Sequence, residues 1–295
     1  MSPKETYFRA GKIHYEVIER SKKLITPGAS LLVIAQAIEK DIASYPEASL
    51  AFPVNLQLNN EVHYSPLPGD TRTISKEDII KVDIGVHVEG YIADGAYTIA
   101  LNKDYQDMVD FTEKVLRETL TGLKPGMKVS EIGRRLDVHM KDSPYKIIKN
   151  LMGHQVQRWD LHSKKSVFVY ESDSPHTLEP GEAFAIEIFI TDGAGFIKSS
   201  AHAVIYALKK SLIPMRDMRL RQLCKTIYEK RRHLPFTERY VVEHLKYSKI
   251  DFANLKRSGN IMEYPILVEV PGSKIAQFED IIYVDEDRVS ITTKV

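Results

Sequence analysis

Lys81-Val82-Asp83-Ile84-Gly85-Val86-His87-Val88-Glu89-Gly90-Tyr91-Ile92-Ala93-Asp94-Gly95-Ala96-Tyr97-Thr98 reads as a β-hairpin. Residues 80, 82, 84, 86 and 88 are apolar and 81, 83, 85 and 87 are not, the period-two pattern of a half-buried strand. Gly90 supplies the backbone freedom of a tight turn. With the turn centred between Val88 and Glu89, residue 83 pairs with residue 94. Directly opposed residues have Cβ atoms roughly 4.5–5.5 Å apart, and like charges so placed repel. Two carboxylates there call for a cation. The hairpin alone also allows a slipped register, with Asp83 and Asp94 as strand-end residues facing water.

The remainder of the chain narrows the choice. Its 295 residues are 43% hydrophobic, enough for a full core in one large domain or one domain with an insertion. Lys+Arg 41 against Asp+Glu 40 leaves a net charge of +1, so no overall field favours DNA or an anionic membrane. No apolar run reaches membrane-spanning length, and Met1-Ser2-Pro3-Lys4-Glu5-Thr6-Tyr7 lacks the layout of a signal peptide, so a cytoplasmic location is expected. The single cysteine, Cys224, forms no internal disulfide and suits a reducing compartment. It ends Met218-Arg219-Leu220-Arg221-Gln222-Leu223-Cys224, a helix-forming run with no adjacent histidine, so it is read as a packing residue.

Residues 4–24 suggest an amphipathic helix stopped before Pro27-Gly28, and Ser30 is the expected N-cap of a second helix from Leu31 to about Ser44. Leu50-Ala51-Phe52-Pro53-Val54-Asn55-Leu56 reads as a short strand before a loop holding His63-Tyr64-Ser65-Pro66. After the hairpin the order recurs: a helix from about Tyr105 to Leu123, a Pro125-Gly126 break, a helix from Ser130 to about Met140, then strands. Two helices followed by strands, twice over, suggest two half-domains. Residues 209–262 change to dense charge at helical spacing and read as a helical insertion, a solvated face whose cations could also meet a polyanion. Strands return from Gly272 to Val284 and from Arg288 to Thr293.

Glu187 interrupts Ala183-Phe184-Ala185-Ile186-Glu187-Ile188-Phe189-Ile190, apolar on both faces, and Glu279 does the same in Ile275-Ala276-Gln277-Phe278-Glu279-Asp280-Ile281-Ile282. A buried unpaired carboxylate costs several kcal/mol, so each requires a Lys or Arg partner or a metal. Asp83, Asp94, Glu187 and Glu279 with a neutral His154 would balance two divalent cations. Oxygen-rich ligation with one imidazole suits Mn, Fe, Co or Zn.

In order along the chain, Lys81-Val82-Asp83-Ile84-Gly85-Val86-His87, Ile92-Ala93-Asp94, Gly153-His154, Ala185-Ile186-Glu187 and Ala276-Gln277-Phe278-Glu279 resemble the metal-ligand motifs of the methionine aminopeptidases. The insertion before the last ligand strand, and Ala51-Phe52-Pro53-Val54-Asn55 upstream of His63-Tyr64-Ser65-Pro66, resemble type 2. A start without a long lysine-rich extension resembles its archaeal form. The resemblance spans essentially the whole chain. It implies an α/β (α+β) pita-bread fold: two pseudo-symmetric antiparallel-sheet halves with outer helices, residues 1–208 and 263–295 forming the catalytic domain and 209–262 a helical insertion subdomain. It further implies that Asp83 chelates one metal, that Asp94 and Glu279 bridge both, and that His154 and Glu187 bind the other. Glu187 would take the proton of the attacking water, with His63 and His162 as substrate-binding and catalytic histidines. The methionine pocket would draw on Phe52, Leu161, Phe189 and Tyr264. The implied activity is removal of the N-terminal methionine of nascent polypeptides by a monomer carrying two divalent ions (Co, Mn, Fe or Zn), with docking on the ribosome an open expectation.

Three departures accompany the resemblance. Asp280 replaces the usual His after the last glutamate, Ile188 stands where Pro or Thr is common, and Lys164-Lys165 replace a small, apolar segment after His162. None removes a ligand, but each bears on the groups around the ligands and on substrate preference. Two other readings compete: a proline-specific aminopeptidase with the same fold and metal chemistry, and a non-catalytic binding module of that fold. Members of the first usually carry an additional N-terminal domain. Members of the second lose ligands, and all five are present here.

Overall fold

A computed structural model describes residues 1–294. The amino-terminal third supplies two helices and a sheet edge. Helix α1 (Pro3–Ser21) begins with a capping box, in which Ser2 and Glu5 satisfy each other's backbone N–H groups. It buries Ala10, Ile13 and Val17, one stripe at helical spacing. Helix α2 (Leu31–Ala43) is capped by Ser30, as its sequence predicts. The strand expected over residues 50–56 is broken. It becomes β1 (Ala48–Leu50) and β2 (Asn55–Leu58), because Pro53 has no N–H to give a ladder and ends the pairing. A two-residue strand β3 (Glu61–Val62) follows.

The hairpin is β4 (Ile79–Val88) and β5 (Tyr91–Ala100). Its turn is Glu89-Gly90, both with positive φ (51° and 88°), the two-residue geometry that matches strand twist. Gly90 also has Trp159 against it, and a Cβ there would lie 2.4 Å from the indole. The turn therefore sits one residue beyond the expected centre. Asp83 opposes Ala96, and Asp94 opposes Gly85. Asp83 and Asp94 are diagonal neighbours on one face rather than a direct pair.

The second half repeats the plan with α3 (Gln106–Leu120) and α4 (Ser130–Met140), then β6 (Lys146–Ile147), β7 (Gly153–Val156), β8 (Ser166–Val167), β9 (Ala183–Thr191) and β10 (Lys198–Leu208). Residues 209–262 contain α5 (Met218–Arg231), β11 (Phe236–Thr237), a π-helical turn (Tyr240–His244) and α6 (Lys249–Arg257). Leu223, Ile227, Phe252 and Leu255 give this stretch an apolar cluster with Tyr206 and Leu208 of β10. The chain closes with β12 (Ile261–Val268), β13 (Ile275–Val284) and β14 (Val289–Ile291). The sequence patterning missed β12.

The two halves merge into one ten-stranded antiparallel sheet with the path β1-β4-β5-β13-β9-β7-β8, and β11-β10-β12-β3 form a second sheet. On the main sheet the period-two pattern separates two surfaces. Ile80, Val82, Ile84, Val86 and Val88 pack with α1 and α2, while Phe184, Ile186, Ile188 and Ile190 pack with α3 and α4. The alternate residues face away from the helices. Among the described residues no helix is long and apolar enough to cross a membrane.

Candidate metal centre

The face turned from the helices carries the charge. Asp83 on β4, Asp94 on β5, Glu279 on β13, Glu187 on β9 and His154 on β7 come from five consecutive strands of one sheet. Register fixes their proximity. Asp83 opposes Ala96, Ala96 opposes Glu279, and Glu279 opposes Glu187, a transverse row across four strands. Asp94 and His154 stand one step along their strands, opposite Gly85 and Ala185. Ligand atoms of Asp94, His154 and Glu279 lie within 4.8 Å of one another, with His154 Nε2 4.0 Å from Asp94 Oδ2.

Two directly opposed glutamates with two more carboxylates beside them repel one another. Burial, and then the neighbouring carboxylates, hold Asp94 and Glu279 well above the usual carboxylate range. Glu187 is pushed up in the same way. Burial raises Asp83 too, against the opposing effect of hydrogen bonds from Asn55 and Gln277. Burial also holds His154 well below its ordinary value, so its ring is neutral and free to ligate. Among the described residues no Lys or Arg pairs with any of the four carboxylates, which removes the ion-pair explanation for Glu187 and Glu279. Asp83 Oδ1, Asp94 Oδ1 and His154 Nδ1 are buried without a hydrogen-bond partner. Oxygen-rich anionic donors, one neutral imidazole and orphaned buried oxygens fit hard or borderline divalent ions, whose charge reverses the local pKa balance.

The cluster floors a cleft also lined by Phe52, Asn55, His63, Leu161, His162, Ile205, Pro235 and Tyr264. His162 lies on the loop joining β7 to β8. Its ring meets that of His154 edge-on at 4.4 Å between centroids and lies 6.4 Å from Tyr264. Burial followed by the nearby His162 lowers His63 to about 4, so it too is neutral. Phe52 lies flat over β4 because position 85 is glycine. A Cβ there would sit 2.2 Å from the Phe52 ring. Phe189 does not line the cleft. It shares a strand face with Glu187 but stands two residues farther on, roughly 7 Å along the strand, packed with Val62, Ile148, Ile197 and Ile275.

Sequence reading passed over a set of amides under the cluster. Gln277 Nε2 lies 3.4 Å from Asp83 Oδ2 and 3.5 Å from Glu279 Oε2, and its Oε1 accepts from Gln57 Nε2 at 3.1 Å. Gln57 Oε1 in turn accepts the His63 backbone N–H at 2.6 Å. His63 has φ 61°, a left-handed backbone uncommon for a residue with a bulky side chain. The chain of amides therefore ties a strained loop on the cleft wall to two of the carboxylates. The available signal was period two: Gln277 stands two residues before Glu279 and shares its face.

The three departures point elsewhere. Asp280 faces the helices, pairing with Lys294 at 2.7 Å and accepting from Thr293 Oγ1 at 2.9 Å. Ile188 is buried in the core against α3 and α4. Lys165 pairs with Glu182 at 2.7 Å, and Lys164 is exposed.

Residues 5–286 match metallopeptidase family M24. A methionine aminopeptidase of Pyrococcus horikoshii is 34% identical over 97% of this chain and 97% of its own length. One of Methanocaldococcus jannaschii is 35% identical over 98% of each. Among solved structures, a thermophilic Arx1 superposes with a TM-score of 0.82 at 16% identity, covering 99% of this chain and 90% of that one, a likeness of fold. The fold is the pita bread, and divalent metal use comes with the family. The chain belongs to metallopeptidase family M24 and, within it, to the methionine aminopeptidases of the archaeal-like type 2 form.

Proposed function

We propose that this protein removes the N-terminal methionine of peptides and nascent polypeptides, using two divalent ions (Co, Mn, Fe or Zn) held by Asp83, Asp94, His154, Glu187 and Glu279. The observation that carries the reading is the convergence of one ligand-type side chain from each of five consecutive strands, with no Lys or Arg among the described residues paired to them. Two bound ions would be balanced by the four carboxylates and would supply an activated water together with polarisation of the scissile carbonyl.

The chain's own residues do the rest. In this reading the five side chains would hold the ions, Asp83 serving one, His154 and Glu187 the other, and Asp94 and Glu279 contributing to both. Glu187, ionised once the ions' charge offsets its neighbours, would accept the proton of the water and return it to the leaving amine. His63 and His162, each lowered by burial and neutral, donate hydrogen bonds to the developing charge without bringing a cation against the ions. One such donor lowers the barrier by about 2.7–4 kcal/mol. Phe52, Leu161 and Tyr264, with Ile205 and Pro235, give the methionine side chain an apolar seat. Residues 209–262 act as a subdomain that closes one wall, since Pro235 comes from it. The enzyme works as a cytoplasmic monomer, with ribosome-borne nascent chains as its physiological substrate.

The test is release of free methionine from Met-Ala-Ser by metal-stripped protein after adding back Mn, Co, Fe or Zn, with Xaa-Pro peptides and Glu187→Ala alongside. Metal-dependent release from Met-Ala-Ser alone, abolished in the variant, is expected. Preference for Xaa-Pro would reassign the enzyme to proline-specific cleavage. Metal uptake without turnover on either peptide would make the fold a binding module.

A further inference from the structure

A larger cavity, about 750 Å3, opens on the other side of the segment that carries Phe52. One wall is α2, β1 and residues 49–53; the other is the end of α5, β11 and the turn at Tyr240–His244. Two guanidinium groups are buried in it, and they are treated differently. Arg239, 2% exposed, pairs through both Nη atoms with the two oxygens of Glu39 at 2.5 and 2.6 Å. Arg231, 6% exposed, has no carboxylate partner among the described residues. It donates through Nε and Nη2 to the Pro235 carbonyl at 3.0 and 2.6 Å and through Nη2 to the Ala51 carbonyl at 3.3 Å, and its guanidinium lies 5.1 Å from the Tyr240 ring centre. The carbonyls occupy Nε and Nη2 and the ring flanks the guanidinium, but no carboxylate pairs with it directly, and a buried cation is normally paired.

The surroundings favour an anion from outside. Lys40 and Lys230 stand exposed on the rim, and the carboxylates lining the cavity are Glu39, already paired, and Glu243. Leu50, Pro53 and Phe236 make part of the lining apolar. The volume exceeds what a lone ion requires and falls within the range of small-molecule sites. We propose that this cavity binds a small organic anion, a phosphate or carboxylate head on an apolar body, with Arg231 as the head-group anchor and Lys40 and Lys230 as rim contacts. A planar guanidinium matches either head group with two donors.

The site adjoins the catalytic cleft. Arg231 holds the carbonyl of Ala51, whose neighbour Phe52 lines the cleft, and the carbonyl of Pro235, which lines it too. An anion that draws on Arg231 loosens both bonds at once. Given the aminopeptidase reading above, its occupancy shifts KM for a methionyl peptide more than kcat.

Calorimetric titration of the protein with phenyl phosphate, benzoate and inorganic phosphate tests this, in metal-free and metal-loaded states. Saturable one-to-one binding of phenyl phosphate or benzoate in both states is expected, at least about tenfold weaker in Arg231→Met and several-fold weaker in Lys40→Ala. Arg231→Met removes a buried unpaired charge but also leaves the Pro235 and Ala51 carbonyls without their donor, so its native fold is checked by circular dichroism before titration. If that variant fails to fold, Lys40→Ala with Lys230→Ala, both at exposed positions, carries the same test. Binding that needs the metal would place the anion in the catalytic cleft and overturn the proposal. So would absence of saturable binding, equal affinity in the variants, or inorganic phosphate binding as tightly as the aromatic anions. These direct binding readouts stand whether or not methionine is released.

Discussion

Arg239 and the carboxylate cluster are both deeply buried charge, and they are handled in opposite ways. Arg239 meets Glu39 in a two-pronged ion pair that also uses the Pro66 carbonyl, so its charge is neutralised within the chain. Asp83, Asp94, Glu187 and Glu279 face one another with no paired cation among the described residues, and each is raised by burial. The first arrangement holds α2 against the 209–262 stretch. The second leaves a deficit that only a ligand can fill. Internal neutrality thus marks scaffold, and internal imbalance marks a place built for something from outside.

The contrast can be broken from the scaffold side first. Glu39→Ala leaves Arg239 buried with carbonyl contacts alone and should cost about 3–5 kcal/mol of stability, measured by urea unfolding. Glu39→Ala and Arg239→Met together should recover much of that loss, because no buried charge then lacks a partner.

The cluster should behave in the reverse sense. A carboxylate with a raised folded pKa contributes stability that is full below its unfolded value and is lost as pH rises through the folded one. Glu187, raised to about 8, should by itself make the metal-free protein less stable between pH 6.5 and 8, by about 1–2 kcal/mol, and Asp94 and Glu279, also raised, act in the same direction. His63 and His154, lowered by burial, work the other way, but their effect ends near pH 6.5, where the unfolded histidine loses its proton. Saturating Mn should abolish or reverse the decline. Melting curves of stripped and loaded protein across that window decide it: Lys81, lowered by burial to about 7, works against the decline in both forms, so a stripped-minus-loaded difference that does not widen with pH would mean the carboxylates do not repel.

The smallest effect sharpens how the open cluster is held. Gln57→Leu removes the acceptor of the His63 N–H and the donor to Gln277, and should lower kcat/KM roughly tenfold with native circular dichroism. Gln57→Glu, which keeps the acceptor for His63, should retain more activity than the leucine variant.

Much of this was legible in the sequence. The cap Ser30, the period-two run of β4, and carboxylates stranded in apolar strands each depend on residues a few positions apart, where local geometry governs. The broken strand at Pro53 and the missed strand Ile261–Val268 show the limit of that locality: a single proline outweighed an apolar run, and β12 takes its strand form from pairing with β10 and β3.

By itself the sequence determined which side chains had to be reconciled: two aspartates on one hairpin face and two glutamates in apolar strands, all needing positive charge. Tertiary structure decided how they meet. The turn at Glu89-Gly90 moved Asp83 and Asp94 from a direct pair to a diagonal one, and β13, drawn in from nearly 200 residues downstream of Asp83, was set between β5 and β9 so that Glu279 opposes Glu187. Sheet order and register are long-range properties, fixed by which faces can be buried together, and no local pattern encodes them. The same holds for Arg231, an ordinary helix-end residue in the sequence, whose burial without an ion-pair partner among the described residues arises only once α5 packs against the segment around Ala51.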